Sequence, residues 1–411
     1  MKFYLSFAWR NLWRNKRRTL LATSSIFFAV ILALCMRSLQ NGSYDYMVKT
    51  SVSMYTGYLQ IQGKGYWEDR SFDESFEVDD SILAIAGHFP HVTSINPRIE
   101  SAVLVSHKLE TKVSPIMGII PAMENSMTGL KKRMIKGHYL TDSSNGVILS
   151  DGLADRLQVD VGDSVVVFGQ GYQGATAAEQ LPIEGILHFP IPKLNNAMMF
   201  VALSKAQSLF NAYDRVTSIA IMIDDAGHIN SIQSDLRSKL DSALVVMRWD
   251  TMTPDIVQSI EADSAGGVLM LIILYAVIGF GVFGTVMMMT IERTREFGLL
   301  ISLGMKRGKL LLVTSIEALM VSMLGAIAGM IGAFPIILYF HKNPIQLQGD
   351  MAKAMLAWGL EPIIPVSLES SIFVAQTIVV FMIAILTSLY PLFFIRKIQA
   401  VSAMQGRGGV R

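Results

Sequence analysis

The stretch MMMTIERTREFGLLISLGMKRGKLLLVTSIEALM, residues 287–320, decides the fold because it leaves and then re-enters a long apolar run. The sequence is apolar up to Ile291, carries many charges from Glu292 to Lys309, and then becomes apolar again. Two membrane-length helices joined by a short charged segment produce this pattern. The chain is therefore predicted to cross a bilayer, turn, and cross it again.

Apolar residues recur at helical spacing inside the charged segment. They are Phe297, Leu300, Ile301 and Gly304. This spacing places them in one stripe of a helix, and Gly304 followed by a basic turn is a stop signal. The segment 292–309 is predicted to contain a short amphipathic helix. From the residues alone, such a helix either rests in the headgroup region on anionic lipid or docks onto a partner.

Four runs are long and apolar enough to span a membrane: 19–39, 264–291, 310–340 and 371–395. A hydrocarbon core of about 30 Å needs roughly 20 helical residues. The whole chain of 411 residues is 51% hydrophobic and 17% charged, which is unusual for a soluble protein. The sequence thus predicts an integral membrane protein with four transmembrane helices.

The first run follows a basic amphipathic stretch, residues 1–18, and could be mistaken for a cleaved signal peptide. Its apolar part is too long, and no small-residue cleavage site follows it. We therefore interpret it as an uncleaved anchor. The single cysteine, Cys35, then lies inside the membrane, and no disulfide is expected in the outer domain.

Positive charges predict the orientation, because Lys and Arg in short flanking segments resist translocation. They are frequent before the first span, in the 292–309 turn and in the tail 396–411, whereas the connection 341–370 has only Lys342 and Lys353. Both termini and the turn are therefore predicted to be cytoplasmic. The stretch 40–263 is then a large extracytoplasmic domain.

This outer domain mixes short β-like runs, such as 101–105, 164–168 and 218–222, with helical patterns at 80–89 and 228–242. The sequence predicts an α+β fold. Its order suggests an inserted unit, residues 103–203, that interrupts an outer unit made of 40–102 and 204–263.

A glycine-rich stretch within the inserted unit, GQGYQGATAAEQ at 169–180, is predicted to be a hairpin loop. It is either a plain connection or a flexible arm that touches a partner or substrate. The candidate contact residues are Gln170, Gly171, Tyr172, Gln173 and Gly174.

No catalytic or cofactor site emerges from the sequence. The run Gly304 to Lys309 has glycines and lysine, but it is too short for a phosphate-binding loop and Leu310 stands where Ser or Thr is needed. The seven histidines show no metal-ligand spacing. We expect no enzyme activity, metal or cofactor in this chain, and nothing indicates nucleic-acid binding.

Two features of the third span concern its contacts with other parts of the chain. Gly325 and Gly329 form a Gly-x-x-x-Gly pattern that lets helix backbones approach closely. Glu317 is a carboxylate inside the span. Pairing with a basic residue is the preferred interpretation of Glu317, and a proton relay is the alternative.

Several of these segments resemble the permease subunits of ABC transporters of the MacB, FtsX and lipoprotein-releasing (LolC/LolE) type. The matching stretches are Glu292 to Leu300 with Leu303-Gly304-Met305, Glu317-Ala318-Leu319, Ala8 to Leu12 with Lys16 to Leu20, Pro115 to Ile119, and Leu153 to Leu157 with Val161-Gly162-Asp163. The 292–304 block is the specific one.

The resemblance implies a MacB-like periplasmic domain between spans one and two, in a protein of the bacterial inner membrane. It implies two such permeases, as a homodimer or heterodimer, with two ATPase subunits that bind ATP and Mg²⁺ and drive mechanotransmission. The expected ATPase contacts are Glu292, Arg293, Thr294, Arg295, Glu296, Phe297, Gly298, Gly304 and Met305.

Within this family, a lipoprotein-releasing permease is the preferred hypothesis, with a lipoprotein substrate, a periplasmic carrier and membrane lipid as partners. The 169–180 loop occupies a place that resembles the carrier-contacting hook of LolC-type domains. A MacB-type export permease with a membrane-fusion partner is the alternative. An FtsX-like regulator is disfavoured because its outer domain is usually much smaller.

Overall fold

The structure is a computed structural model that describes residues 2–14, 16–189, 191–357 and 362–397. The chain divides into two units. The helical unit comprises Met1–Asp45, Ser259–Ile345 and Ile364–Arg411, and the α+β unit comprises Tyr46–Gln258 and Gln346–Ile363. Most of the predicted tail 396–411, residues 358–361 of the predicted connection, and Met1 lie outside the described residues.

The helices in chain order are α1 (Lys2–Arg14), α2 (Lys16–Ser51), α3 (Tyr66–Asp69), α4 (Asp80–Gly87), α5 (Pro121–Thr128), α6 (Asp151–Leu157), α7 (Pro192–Asn195), α8 (Leu203–Leu209), α9 (Ile229–Lys239), α10 (Trp249–Met252), α11 (Pro254–Glu292), α12 (Thr294–Ser302), α13 (Arg307–Lys342), α14 (Asp350–Ala357) and α15 (Ser370–Lys397). A π-helical turn, Val52–Thr56, follows α2 directly.

The strands are β1 (Leu59–Gly63), β2 (Phe76–Glu77), β3 (Val92–His107), β4 (Glu110–Ile119), β5 (Met134–Gly137), β6 (Val147–Ser150), β7 (Ser164–Gln170), β8 (Thr176–Leu187), β9 (Met199–Ala202), β10 (Arg215–Val216), β11 (Ser218–Ile223), β12 (Leu244–Arg248), β13 (Ile345–Gln346) and β14 (Ile363–Ile364).

Four helices are long and apolar enough to cross a membrane, which confirms the prediction of four spans. They cover Thr19–Thr56, Pro254–Glu292, Arg307–Lys342 and Ser370–Thr387. The helices α2 and α11 are longer than the predicted spans 19–39 and 264–291. Hydropathy detects only the apolar part of a helix, whereas backbone hydrogen bonding continues through polar residues until a turn residue ends it.

Glycines on α13 bring this helix close to α2. A Cβ on Gly325 would lie 2.7 Å from the Cβ of Ile26, and one on Gly329 would lie 2.8 Å from the Cβ of Val30. Both distances are shorter than side chains tolerate. Gly325 and Gly329 therefore lie where the backbones of α2 and α13 are in close contact, as small residues at this spacing allow.

The α+β unit is built on a ten-stranded sheet. Its strand order is β12-β1-β11-β3-β4-β9-β6-β8-β5, and β7 pairs with β3 and β8. Two neighbouring pairs, β4 with β9 and β6 with β8, are parallel. The runs predicted as strands at 101–105, 164–168 and 218–222 lie in β3, β7 and β11, so the α+β prediction is confirmed.

Among the apolar clusters on this sheet, one packs α4 and α9 against the start of the sheet, around Ile61 and Ile219. Another packs α6 and α8 against the centre, around Val103 and Val167. A third lies around Ile148 and Phe200. The predicted boundaries of the inserted unit, at 103 and 203, fall within β3 and at the first residue of α8. That division stays a prediction.

The predicted loop 169–180 is much shorter in the structure, so this prediction is wrong in extent. Strands β7 and β8 pair in antiparallel register up to Gln170 opposite Thr176, which leaves only residues 171–175 as a turn. The small residues at the start of β8 belong to the strand and not to a loop, and Ala177 is fully buried in the core.

Candidate functional site

The segment 292–309, called the coupling segment below, has sharply defined ends. Helix α11 ends at Glu292, Arg293 leaves helical geometry at φ −89° and ψ 6°, and α12 follows. At the other end, Met305 N donates to Leu300 O at 2.9 Å and Gly304 N donates to Ile301 O at 3.0 Å. Gly304 has φ +92°, as the helix-terminating motif with these two bonds requires.

The inner face of α12 packs against the start of α13. Phe297 is 3% exposed and Gly298 is buried. Phe297 forms a small apolar cluster with Leu310 and Leu311, and Leu300, Ile301 and Met305 pack against it. The stripe that the sequence predicts is thus the face by which α12 is held to the rest of the helical unit. The remaining stripe position, Gly304, is exposed in the turn.

The outer face of α12 is exposed and partly apolar. Arg295, Glu296, Leu299 and Leu303 are exposed, and the two leucines are 53% and 75% accessible. Leucines adjoining charged residues on one face of a helix are suited to protein contact. Leu299 and Leu303 were not singled out from the sequence. The sequence did contain an indication of their exposure, because both leucines lie outside the apolar stripe that predicts the buried face of the helix.

The beginning of the coupling segment contains a buried polar cluster. The Arg293 guanidinium contacts Glu317 Oε2, and Asn11 Nδ2 donates to Glu317 Oε1 at 2.7 Å. Glu317 is 4% exposed and Arg293 is 7% exposed. Glu317 therefore has the basic partner that the sequence predicts. Thr294 is half-buried, and its hydroxyl donates to Ile291 O at 2.5 Å.

Helix α1 adds a second contact to the same segment. Arg14 Nη2 donates to both carboxylate oxygens of Glu296, at 2.6 and 2.8 Å. Both side chains are more than half exposed, so this pair stabilises the fold by little. Asn11 and Arg14 show that α1 contacts both the buried and the exposed parts of the segment, which the sequence did not reveal.

A second exposed apolar surface lies on the sheet of the α+β unit. Leu104 on β3 stands opposite Val113 on β4 and opposite Phe168 on β7. These three side chains, called the apolar row below, are 42%, 69% and 53% exposed. Their neighbours Val103 and Val167 point to the opposite face and are buried. Only alternate residues of the apolar runs in β3 and β7 therefore point into the core, and the residues between them are exposed.

The predicted contact residues 170–174 adjoin the apolar row. Gln170 and Gly174 line a cleft of about 380 Å³ together with Leu104, Val113 and Phe168. Gln173 and Gly174 are exposed, whereas Gly171 is buried. Tyr172 N donates to Phe210 O at 2.9 Å, and the Arg215 guanidinium lies 4.6 Å from the Tyr172 ring centre. The contacts of Tyr172 thus hold the turn against the α+β unit, whereas the side of the turn formed by Gln173 and Gly174 remains exposed.

Comparisons with known proteins agree with this architecture. Residues 19–239, more than half of the chain, match the MacB-like periplasmic core domain, and residues 268–400 match the FtsX-like permease C-terminal domain. The chain belongs to the family of the MacB-like periplasmic core domain and carries an FtsX-like permease C-terminal domain. It is thus an ABC permease of the FtsX, MacB and LolC group, and an inner membrane protein.

Curated relatives of this FtsX-like permease are distant. The lipoprotein-releasing system transmembrane protein LolC of Xylella fastidiosa is 20% identical over 79% of this chain and 80% of its own length. The macrolide export ATP-binding/permease protein MacB of Neisseria gonorrhoeae is 20% identical over 83% of this chain and 53% of its own length. The chain thus spans about half the length of that MacB relative.

Among solved structures, the periplasmic region of MacB from Actinobacillus actinomycetemcomitans matches with a TM-score of 0.35 and 16% identity, over 50% of this chain and 94% of that structure.

Both candidate surfaces lie within the two domains that the family models match. The coupling segment belongs to the FtsX-like part, and the apolar row belongs to the MacB-like part of this permease. Asn11 and Arg14 precede both matches.

Proposed function

We propose that this FtsX-like permease is the membrane subunit of a mechanotransmission ABC transporter that releases lipidated proteins from the inner membrane toward the outer membrane. Two such permeases, identical or sister chains, work with two ATPase subunits. ATP and Mg²⁺ bind to the ATPase subunits. This chain binds its partners and moves, and it performs no chemistry.

The observation that carries the ATPase contact is the exposed outer face of α12. Its inner face is packed on Leu310 and Leu311, so a partner that pushes on Leu299 and Leu303 pushes on α13 as well. The basic residues of the segment support a cytoplasmic location. Among the residues predicted from the resemblance, Arg295 and Glu296 are exposed, whereas Phe297 and Gly298 hold the helix in place.

The docking proposal is tested by recruitment of the ATPase subunit. Leu303→Asp puts a charge on a residue that is 75% exposed, so the chain should fold while ATPase co-purification falls at least about tenfold. Ile135→Asp, at an apolar residue of the α+β unit that is 54% exposed, is the matched control. Normal recruitment by Leu303→Asp would refute α12 as the contact.

Lipoprotein release, rather than export of a drug or peptide, is supported by the extent of the match to LolC and by the apolar row. The LolC relative aligns over similar fractions of both chains, 79% and 80%. The apolar row and the open side of the 171–175 turn border the same cleft, which offers apolar side chains to a carrier or a lipidated protein. MacB relatives at equal identity keep MacB-type export as the second candidate.

Depletion of the chain separates these two functions. Release predicts that lipidated proteins accumulate in the inner membrane. Normal sorting of lipidated proteins, together with co-purification of a membrane-fusion protein, would favour export. Val113→Asp should reproduce the sorting defect without loss of the ATPase subunit, because Val113 is 69% exposed in the apolar row. Ile135→Asp is again the control.

A further inference from the structure

The junction between α2 and the sheet has unusual geometry. After Ser51 the helix widens into the π-helical turn Val52–Thr56, where Gly57 N donates to Val52 O at 2.8 Å. Gly57 has φ +69°, and a Cβ there would lie 2.9 Å from Ile221 O. The chain then enters β1. Turns of this kind are uncommon and are frequently found at functional sites.

One arginine side chain binds the end of this turn. Arg98 on β3 is completely buried, and its Nη1 donates to the backbone carbonyl of Tyr55. The other nitrogens bind Glu124 of α5, with Nε to Oε2 at 2.8 Å and Nη2 to Oε1 at 2.6 Å. Burial is the largest influence and lowers the pKa of Arg98, but Glu124, Glu100 and Tyr55 together raise it above its ordinary value, so the guanidinium stays charged.

The same strand also holds the Tyr55 side chain. Glu100 is two residues beyond Arg98 and points to the same face of the sheet, where its Oε2 accepts from Tyr55 Oη at 3.1 Å. Its other carboxylate oxygen accepts from Ser218 Oγ on β11 at 2.9 Å. Tyr55 is thus bound to β3 through both its carbonyl and its hydroxyl.

A purely structural pair would not need the third contact. Buried ion pairs can be replaced by apolar side chains of similar volume with little loss of stability, or with a gain. An apolar side chain cannot donate to the carbonyl of Tyr55. The hydrogen bond from Arg98 to that carbonyl is therefore the part of the arrangement that an apolar core could not supply.

We propose that Arg98 is a positioning residue that anchors the end of α2 to strand β3, so that movement of α2 is passed to the sheet instead of being absorbed in the π-helical turn. This inference rests on the proposed mechanotransmission. It adds the point at which the moving helix is fastened to the outer domain.

The test uses the full chain in lipid nanodiscs with its co-purified ATPase subunit. The double variant Arg98→Met/Glu124→Leu removes the anchor without leaving a buried charge unpaired. Arg98→Lys is the second variant, because it keeps the charge beside Glu124 but loses the forked geometry. The control is Lys136→Met/Asp160→Leu, an ion pair at 2.6 Å whose two side chains are more than half exposed.

Hydrogen exchange of residues 52–58 is measured first, without nucleotide. Loss of one charged hydrogen bond predicts exchange about tenfold faster or more in both anchor variants, and unchanged exchange in the control. Exchange as slow as in the wild type in these variants would overturn the anchor. If the double variant fails to fold, Arg98→Lys alone gives this result.

Exchange of β3 amides is then compared with and without ATP and vanadate. The wild type should show a nucleotide-dependent change that the anchor variants lose. The same change in an anchor variant would overturn the positioning role of Arg98. If the wild type shows no nucleotide response, the proposed mechanotransmission fails, and the exchange of residues 52–58 still decides whether Arg98 is the anchor.

Discussion

Two buried ion pairs, one in each unit, differ in how completely they are hydrogen-bonded. In the α+β unit, all three nitrogens of Arg98 donate to oxygen atoms, and its side chain is 0% exposed. In the helical unit, Arg293 contacts Glu317 through Nη1, and its buried Nε has no hydrogen-bond partner among the described residues. Arg293 also stands at the non-helical link between α11 and α12.

This difference indicates different mechanical roles. A forked, fully bonded arginine fixes the orientation of its partners, whereas a single contact leaves a side chain room to turn. We interpret Arg98–Glu124 as a rigid anchor and Arg293–Glu317 as an adjustable link beside the coupling segment. The following predictions test whether the two pairs really differ.

The largest effect is expected from Glu124→Leu. It leaves the charge of Arg98 buried and unpaired, which costs about 3–5 kcal/mol in comparable sites. Native-state hydrogen exchange of the β3 amides, which report opening of the sheet, should accelerate accordingly. A cost below about 1 kcal/mol would show that the pair does not hold the α+β unit together.

A smaller effect is expected from Glu317→Leu. Arg293 loses one charged contact, and Asn11 loses its acceptor, so a cost of about 1–3 kcal/mol is expected. The measurement is hydrogen exchange of residues 294–311. If this variant were destabilised as much as Glu124→Leu, the distinction between a rigid and an adjustable pair would be wrong.

The smallest stability effect is expected from Arg14→Gln. The pair with Glu296 is more than half exposed, and such pairs contribute less than about 1 kcal/mol. Exchange of α12 amides should change little, in contrast to Glu317→Leu. A large change would mean that α1, and not the buried cluster, holds the coupling segment in place.

Alkaline pH adds a further test of the surroundings of Glu124. Burial, and next the Glu124 charge, raise the pKa of Tyr139 above its ordinary value. Because the folded pKa is raised, its stabilising effect is complete below about pH 10 and is lost as pH rises from there to the folded pKa. Tyr139→Phe should therefore lose less stability on alkaline titration. If the wild type and Tyr139→Phe lost the same stability as pH rises, the raised pKa of Tyr139 would be contradicted.

Periodicity and hydropathy were sufficient to predict the spans and one buried helix face from the sequence. The four spans follow from apolar runs, and the buried face of α12 follows from the spacing of Phe297, Leu300 and Ile301. The extent of the 169–180 turn was missed because small residues indicate a loop by composition, although Ala177 is buried within a strand.

Contacts between distant segments could not be predicted in this way. Arg98 and Glu124 look like ordinary polar residues of an outer domain, and only the fold brings them to the end of α2. The exposure of the apolar row could not be predicted either, because a continuous apolar strand predicts burial on both faces. Asn11 reaches Glu317 across 306 positions of sequence, beyond any local pattern.

The central claim, that α12 receives an ATPase subunit through its outer face, is tested most directly by photo-crosslinking in intact cells. A photoreactive phenylalanine at position 303 should crosslink to the ATPase subunit, since Leu303 is 75% exposed. The same group at position 297, where Phe297 is 3% exposed, and at position 135 in the α+β unit should not. Absence of the crosslink at 303, or an equal crosslink at 135, would contradict the account.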